Sequence, residues 1–175
     1  PGSKDGAAYT VEANGTFVAE FTALALRLDV GEAGVVRTRF GYHVMLRVPP
    51  PPPDPLESVA ILARPPGTGT VNVKHVLLSW ADLSNGDPRG MKRSRAQLEA
   101  LVGKLKAQLA KGAAIEPLMQ QYSEDPGTAD SGDSYDVDAD APMVKPFKDL
   151  ALRLKPGEVG VVKTQFGIHI VKRVP

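Results

Sequence analysis

The chain holds three histidines and no cysteine, and two of the histidines, His43 and His169, stand at equivalent places in a repeated segment. Imidazole is the side chain whose charge changes nearest neutral pH, so a pair of them offers proton transfer, metal ligation or a neutral hydrogen-bonding surface. Metal ligation is poorly supported, because zinc takes three or four protein ligands and neither an HxxxH nor an HExxH spacing is present. The third histidine, His75, alternates with Val71, Val73 and Leu77, and His169 alternates with Val171, so each ring belongs to a half-buried sheet face. Two readings follow: hydrogen-bonded core histidines, or a paired-imidazole site if the two strands are neighbours.

Composition narrows the chemistry. Of 175 residues, 21 are Lys or Arg and 20 are Asp or Glu, and a net charge of +1 gives no global attraction to nucleic acid or to a membrane surface. The absence of cysteine removes disulfides, Cys-ligated zinc, iron-sulfur clusters and thiol nucleophiles together. An apolar content of 42% supports a buried core, and no apolar run reaches the length of a membrane span. The opening PGSKDG reads neither as a signal peptide nor as a native start, so the chain is expected to begin inside a longer protein.

The elements that must position the histidines are marked by an internal repeat of 126 residues. Phe21 to Pro49 and Phe147 to Pro175 share 18 of 29 residues, and Tyr9, Val11 and Val18 face Tyr135, Val137 and Val144. With one residue of slack, Pro1-Gly2-Ser3 faces Pro126-Gly127-Thr128, and Gly6 faces Gly132. Pro49 to Pro53 cannot donate backbone hydrogen bonds and favour extended chain, so 49–70 reads as a linker between 1–48 and 71–175, with the role of Leu56 to Ala63 open.

VNVKHVLL from Val71 reads as a strand, followed by a loop, Asp82 to Arg93, with Asn85-Gly86 and Asp87-Pro88. Ser94 and Gln97 make a capping box ahead of Leu98, Leu101, Val102, Leu105 and Leu109 at helical spacing, and Gly112 ends that helix. Further helices carry Ile115 to Tyr122 and Phe147 to Leu154, and Val159 to Thr164 and Ile168 to Val174 form a hairpin around Gln165-Phe166-Gly167. The order strand, helices, strand, helix, hairpin means α+β.

With these motifs in hand, residues 71–175 resemble a parvulin-type peptidyl-prolyl isomerase. The resemblance is carried by His75 in VKHVLL, Tyr-Ser-Glu-Asp-Pro-Gly-Thr at 122–128, Met-Val-Lys-Pro-Phe at 143–147, Leu-Lys-Pro-Gly-Glu-Val at 154–159 and Thr-Gln-Phe-Gly-Ile-His at 164–169. Residues 1–48 resemble the C-terminal half of a second such domain. The resemblance implies a four-stranded antiparallel sheet surrounded by helices and no cofactor. It also implies a proline pocket of Met143 and Phe147 with Leu78 or Phe166 as further wall, over a floor of His75 and His169 with Thr164 beside them. Asp125 sits where the family places a carboxylate or thiol near the substrate carbonyl. Without the resemblance, Met143 and Phe147 read equally as core, Thr164 as a strand residue and Asp125 as a turn residue.

Ser134-Tyr135 stands where the family more often has Leu-Gly, which places the second strand and one pocket wall in question. Arg89, Lys92, Arg93 and Arg95 follow the first strand closely, and paired guanidiniums there would hold an acidic or phosphorylated residue before proline; the alternative is a solvated loop. Asp136, Asp138 and Asp140 mimic the start of a calcium loop, but Ala141 and Phe147 break the pattern and no metal is expected.

The resemblance therefore implies isomerisation of Xaa-Pro bonds in extended or unfolded polypeptides, with proline-containing clients as partners. A non-catalytic peptide-holding chaperone module is the competing class. The half repeat lacks the strand and long helix that should cover it, so self-association, an upstream segment or competition for 71–122 would complete it. Family analogy favours a bacterial cell envelope or periplasm.

Overall fold

The chain divides at the proline run, where backbone donors are missing, into the units Pro1–Pro52 and Pro53–Pro175. The computed structural model describes residues 8–13, 15–83 and 86–175; the correspondences of Pro1 to Ser3 and Gly6, and Asn85 of the Asn85-Gly86 turn, lie outside the described residues.

In the first unit, helix α1 (Ala19–Arg27) is followed by strands β1 (Ala33–Thr38) and β2 (Gly41–Leu46), which pair antiparallel from Ala33↔Leu46 to Thr38↔Gly41. Leu24 and Leu28 close on Gly34, so the helix covers one face of the hairpin. The other face, with Val35, Tyr42, Val44 and Leu46, is exposed.

The second unit begins with a segment read from sequence as linker. Asp54 pairs with Arg95, and Ser58 donates to the Val161 carbonyl and accepts from the Val161 amide, each at 2.9 Å. Glu57 accepts from Lys163 N at 3.0 Å, and Ile61 of the short helix α2 (Val59–Leu62) is buried. These side chains satisfy an otherwise open strand edge, so the extended spacer is shorter than 49–70 and ends at the prolines.

The rest follows the sequence pattern closely. Strand β3 (Val71–Leu78), helices α3 (Pro88–Met91), α4 (Arg95–Ala110) and α5 (Glu116–Tyr122), strand β4 (Tyr135–Val137), helix α6 (Lys145–Ala151) and strands β5 (Val159–Thr164) and β6 (Gly167–Val174) succeed one another. The strands form one antiparallel sheet in the order β4-β3-β6-β5, an α+β fold with the expected four strands. The Ser94/Gln97 capping box opens α4, satisfying two amides that would otherwise lack partners.

Period-two alternation then sorts the sheet residues between two cores. On one face, Val76, Leu78, Val161, Ile168 and Ile170 pack against Leu98, Val102 and Leu105 of α4 and Leu118 and Met119 of α5. On the other, Val71, Val73, Val137, Val162 and Val171 pack against Phe147, Leu150 and Ala151 of α6 and against Ile61. The tight turn into β6 needs glycine: Gly167 has φ +145°, and a Cβ there would lie 2.4 Å from the Leu78 carbonyl oxygen. Trp80, just beyond β3, is buried beneath the cationic heads of Arg95 and Lys163, 5.0 and 5.7 Å from its ring centre.

Candidate active site

The two histidines come together because β3 and β6 are neighbours. Their register sets His75 opposite Val171 and Leu77 opposite His169, so both rings project from the α6 face one diagonal step apart. The rings meet edge to face, with centres 5.2 Å apart at 74°. Phe147, from the first turns of α6, closes the triangle edge-on at 5.1 Å from His75 and 5.2 Å from His169. The three centres are nearly equidistant, so the rings form one apolar box.

Polar atoms fix one of the imidazoles. Thr164 Oγ1 lies 2.8 Å from His169 Nε2 and accepts the Phe166 N–H at 3.1 Å. A hydroxyl can donate or accept, so either tautomer of His169 can make this contact, while its other ring nitrogen, Nδ1, has no hydrogen-bond partner among the described residues. Neither nitrogen of His75 has a hydrogen-bond partner among the described residues. The nearest carboxylate oxygen, Asp125 Oδ2, is 3.8 Å from His75 Nε2, beyond hydrogen-bond reach. Burial pushes the pKa of His75 down to about 4 against a weak opposing pull from Asp125, and burial together with His75 pushes His169 down to about 3. At neutral pH both rings are uncharged.

Asp125 is held by the turn that follows it. Its Oδ2 accepts from Thr128 N at 2.9 Å, from Thr128 Oγ1 at 2.8 Å and from the Tyr135 hydroxyl at 3.1 Å. Tyr135 also stacks on His75, with centres 5.6 Å apart at 14°, which links the carboxylate to the imidazole floor. Burial and the Asp125 carboxylate push the Tyr135 hydroxyl pKa up, so it remains a donor. A Cβ at Gly127 would sit 2.4 Å from that hydroxyl, so glycine there is what admits the tyrosine.

The loop carrying Asp125 is clamped to the end of β3. Leu77 N donates to Ser123 Oγ at 3.1 Å, and Glu124 N donates to the Leu77 carbonyl at 2.9 Å. The fully buried Glu124 carboxylate accepts from Ser79 N at 2.8 Å, from Ser79 Oγ at 2.5 Å and from Arg93 Nη1 at 2.6 Å. Arg93 also donates to the Ser79 carbonyl.

Of the residues expected from sequence, His75, His169, Thr164, Phe147 and Asp125 converge, and Met143 is half-buried against the same core. Leu78 does not join them. Alternation turns it to the α4 face, where it is fully buried, and Leu77 stands on the histidine side instead. Phe166 lies on the hairpin turn and is exposed. The basic cluster is dispersed among structural partners: Arg93 holds Glu124, Arg95 holds Asp54 and Glu99, and Arg89 pairs with Asp87 and the Ser123 carbonyl. Lys92 is exposed. Tyr135, Thr128 and Glu124 were not singled out as site residues from sequence. The sequence marks Tyr135 only as a departure from the family pattern that recurs as Tyr9 in the other copy.

The buried neutral histidines imply an acid-sensitive unit. In the unfolded chain they protonate near pH 6.5, whereas in the fold they resist protonation to about 4 and 3, so the unfolded state takes up more protons as pH falls. Stability present above pH 6.5 is lost on acidification, by roughly 2 kcal/mol per histidine at pH 5. Urea midpoints measured from pH 7 to 4 are expected to fall, and less steeply for His169→Gln. Equal slopes for the two proteins would contradict the assignment.

Similar proteins place this geometry in a family. Foldase protein PrsA 1 of Bacillus cereus is 44% identical over 75 residues, which is 42% of this chain and 26% of that protein. Chaperone SurA of Pseudoalteromonas translucida is 38% identical over 81 residues, 46% of this chain and 18% of that one. The chain thus spans about a quarter or less of the length of these curated relatives. Among solved structures, peptidyl-prolyl isomerase ESS1 from Candida albicans superimposes with a TM-score of 0.51 at 26% identity, covering 61% of this chain and 63% of that one. No helix among the described residues is long and apolar enough to cross a membrane. The model of the PPIC-type PPIASE domain family matches residues 60–174, most of the chain and the whole of the site, and the protein belongs to that family.

Proposed function

We propose that the second unit catalyses cis/trans isomerisation of Xaa-Pro bonds in extended or unfolded polypeptides and so aids their folding. The observation that carries this reading is the box of Phe147, His75 and His169 with the Asp125 carboxylate beside it. A planar amide owes its barrier of about 18–20 kcal/mol to resonance that places negative charge on oxygen and double-bond character in C–N. An apolar wall of Phe147 and Met143 that takes the proline ring strips water from the carbonyl, and a fixed carboxylate near that oxygen disfavours the charge-separated planar form. Both effects raise the planar state relative to the twisted one. No proton is transferred, which suits imidazoles that stay neutral, and the Thr164 hydrogen bond serves to hold the His169 ring in place.

A second reading, a peptide-holding module that does not accelerate isomerisation, is favoured by one observation. Three donors already converge on Asp125 Oδ2 and spread its charge. NMR exchange on Xaa-Pro peptides with neutral, glutamate or phosphoserine Xaa separates the two. Acceleration by the full chain, reduced about 100-fold in Asp125→Ala, is the expected result. Binding with no acceleration would establish the holding module. Because Arg93 and Arg95 are engaged in the fold, only a small preference for acidic Xaa is expected. The bacterial PrsA and SurA relatives support polypeptide clients and a site of action in the bacterial cell envelope.

A further inference from the structure

The first unit reproduces several contacts of the second unit's C-terminal half. Thr38 Oγ1 lies 2.8 Å from His43 Nε2 and accepts the Phe40 N–H at 3.1 Å, the same two distances found at Thr164, His169 and Phe166. Arg47 reaches the Leu28 carbonyl as Arg173 reaches that of Leu154, and Gly31 N donates to Arg47 O as Gly157 N does to Arg173 O. Phe21 stands edge-on to His43 at 5.4 Å, and Phe17, at the place of Met143, stacks on Phe21 at 5.0 Å. These are half the walls of a proline pocket.

The two copies differ in what covers them. Val161, Ile168 and Ile170 are fully buried under α4 and α5, and β6 pairs with β3 on its inner edge. Their counterparts Val35, Tyr42 and Val44 are 62%, 74% and 79% exposed, and β2 pairs with β1 alone among the described residues. A hairpin with an apolar outer face and an open edge is unstable in isolation.

We propose that this face seats the first half of a PPIC-type domain, a strand followed by an amphipathic helix of the pattern of residues 71–122, and that docking completes a second Xaa-Pro peptide site around His43, Thr38, Phe21 and Phe17. The strand would add to the free edge of β2 and the helix would cover Val35, Tyr42 and Val44, as β3 and α4 do for the equivalent residues of the second unit. The peptide-binding part rests on the reading proposed for the second unit; the docking part does not. A second copy of this chain is a poorer occupant, because its residues 71–122 are already covered by its own 127–175, and exchanging them would uncover as much surface as it buried.

The test extends the full chain by placing a second copy of residues 71–125 directly ahead of Pro1, which restores the Asp-Pro-Gly turn and, to within one residue, the spacing of the repeat. Amide hydrogen exchange at residues 41–46 is expected to slow at least about 100-fold relative to the unextended chain. Proline-peptide stoichiometry is expected to rise from one to two. Val44→Asp in the extended chain, on the outer face and outside both pockets, should reverse the slowing while the second unit keeps its own protection. Unchanged exchange at 41–46 with a protected second unit would overturn the docking. Slow exchange in the unextended chain that appears with dimer mass would overturn the chosen occupant in favour of a second copy. Slowed exchange with a stoichiometry that stays at one would overturn the second site alone. No peptide bound by either chain would count against the function proposed for the second unit and leave the exchange result to decide the docking.

Discussion

Glu124→Ala is expected to destabilise the second unit by about 3–5 kcal/mol, the cost of removing one partner from a buried ion pair. The carboxylate is wholly enclosed and is the common acceptor for Arg93, Ser79 N and Ser79 Oγ. Its loss takes the carboxylate partner away from a largely buried guanidinium and from two Ser79 donors at once. Because Glu124 immediately precedes Asp125 and its own amide is tied to Leu77, the same change should loosen the carboxylate beside the histidines. A urea titration reads the first effect. A rise in the exchange rates of the 123–128 amides beyond what global destabilisation accounts for reads the second. A loss under 1 kcal/mol would mean that the network is dispensable.

Phe147→Ala carries the second large effect. The ring is buried and touches both imidazoles, so truncation should cost about 3–5 kcal/mol through lost burial and the cavity left behind. Isomerisation should fall to the uncatalysed rate, because the proline ring loses its principal wall. Phe147→Leu separates the two consequences: it retains most of the volume and should cost under about 1.5 kcal/mol. If the activity of Phe147→Leu still falls at least tenfold at a temperature where the protein is folded, the ring serves the site and not only the core. Full activity in Phe147→Leu would reduce Phe147 to packing.

Much of this architecture is legible in the residues because local rules and the repeat agree. Alternation in VNVKHVLL, the Ser94/Gln97 cap and the turn at Gly167 each name an element that forms within a residue or two of its expected ends. Leu78 shows where family analogy outran physics: the same alternation that puts His75 toward α6 must put Leu78 toward α4. The four basic residues were hard to read for a different reason. Whether an arginine is free or spoken for depends on partners such as Glu124 and Asp54, 31 and 41 positions distant, which no spacing reveals. Tyr135 departs from the family pattern, and only the fold shows it stacked on His75 and donating to Asp125. The segment after the prolines was opaque because its strand-edge contacts with β5 lie more than a hundred residues away.

The cation-capped indole of Trp80 makes the molecule optically asymmetric. It is the sole tryptophan, it belongs to the second unit, and the first unit carries tyrosine and phenylalanine only. Emission excited at the red edge of the band therefore originates in one half of the protein, while circular dichroism sums over both. The gap between the two signals during melting is a direct measure of the half repeat on its own, obtained without labels and without cutting the chain. Because Arg95 joins that indole to Asp54, the colour of the emission also senses whether the segment following the prolines is seated.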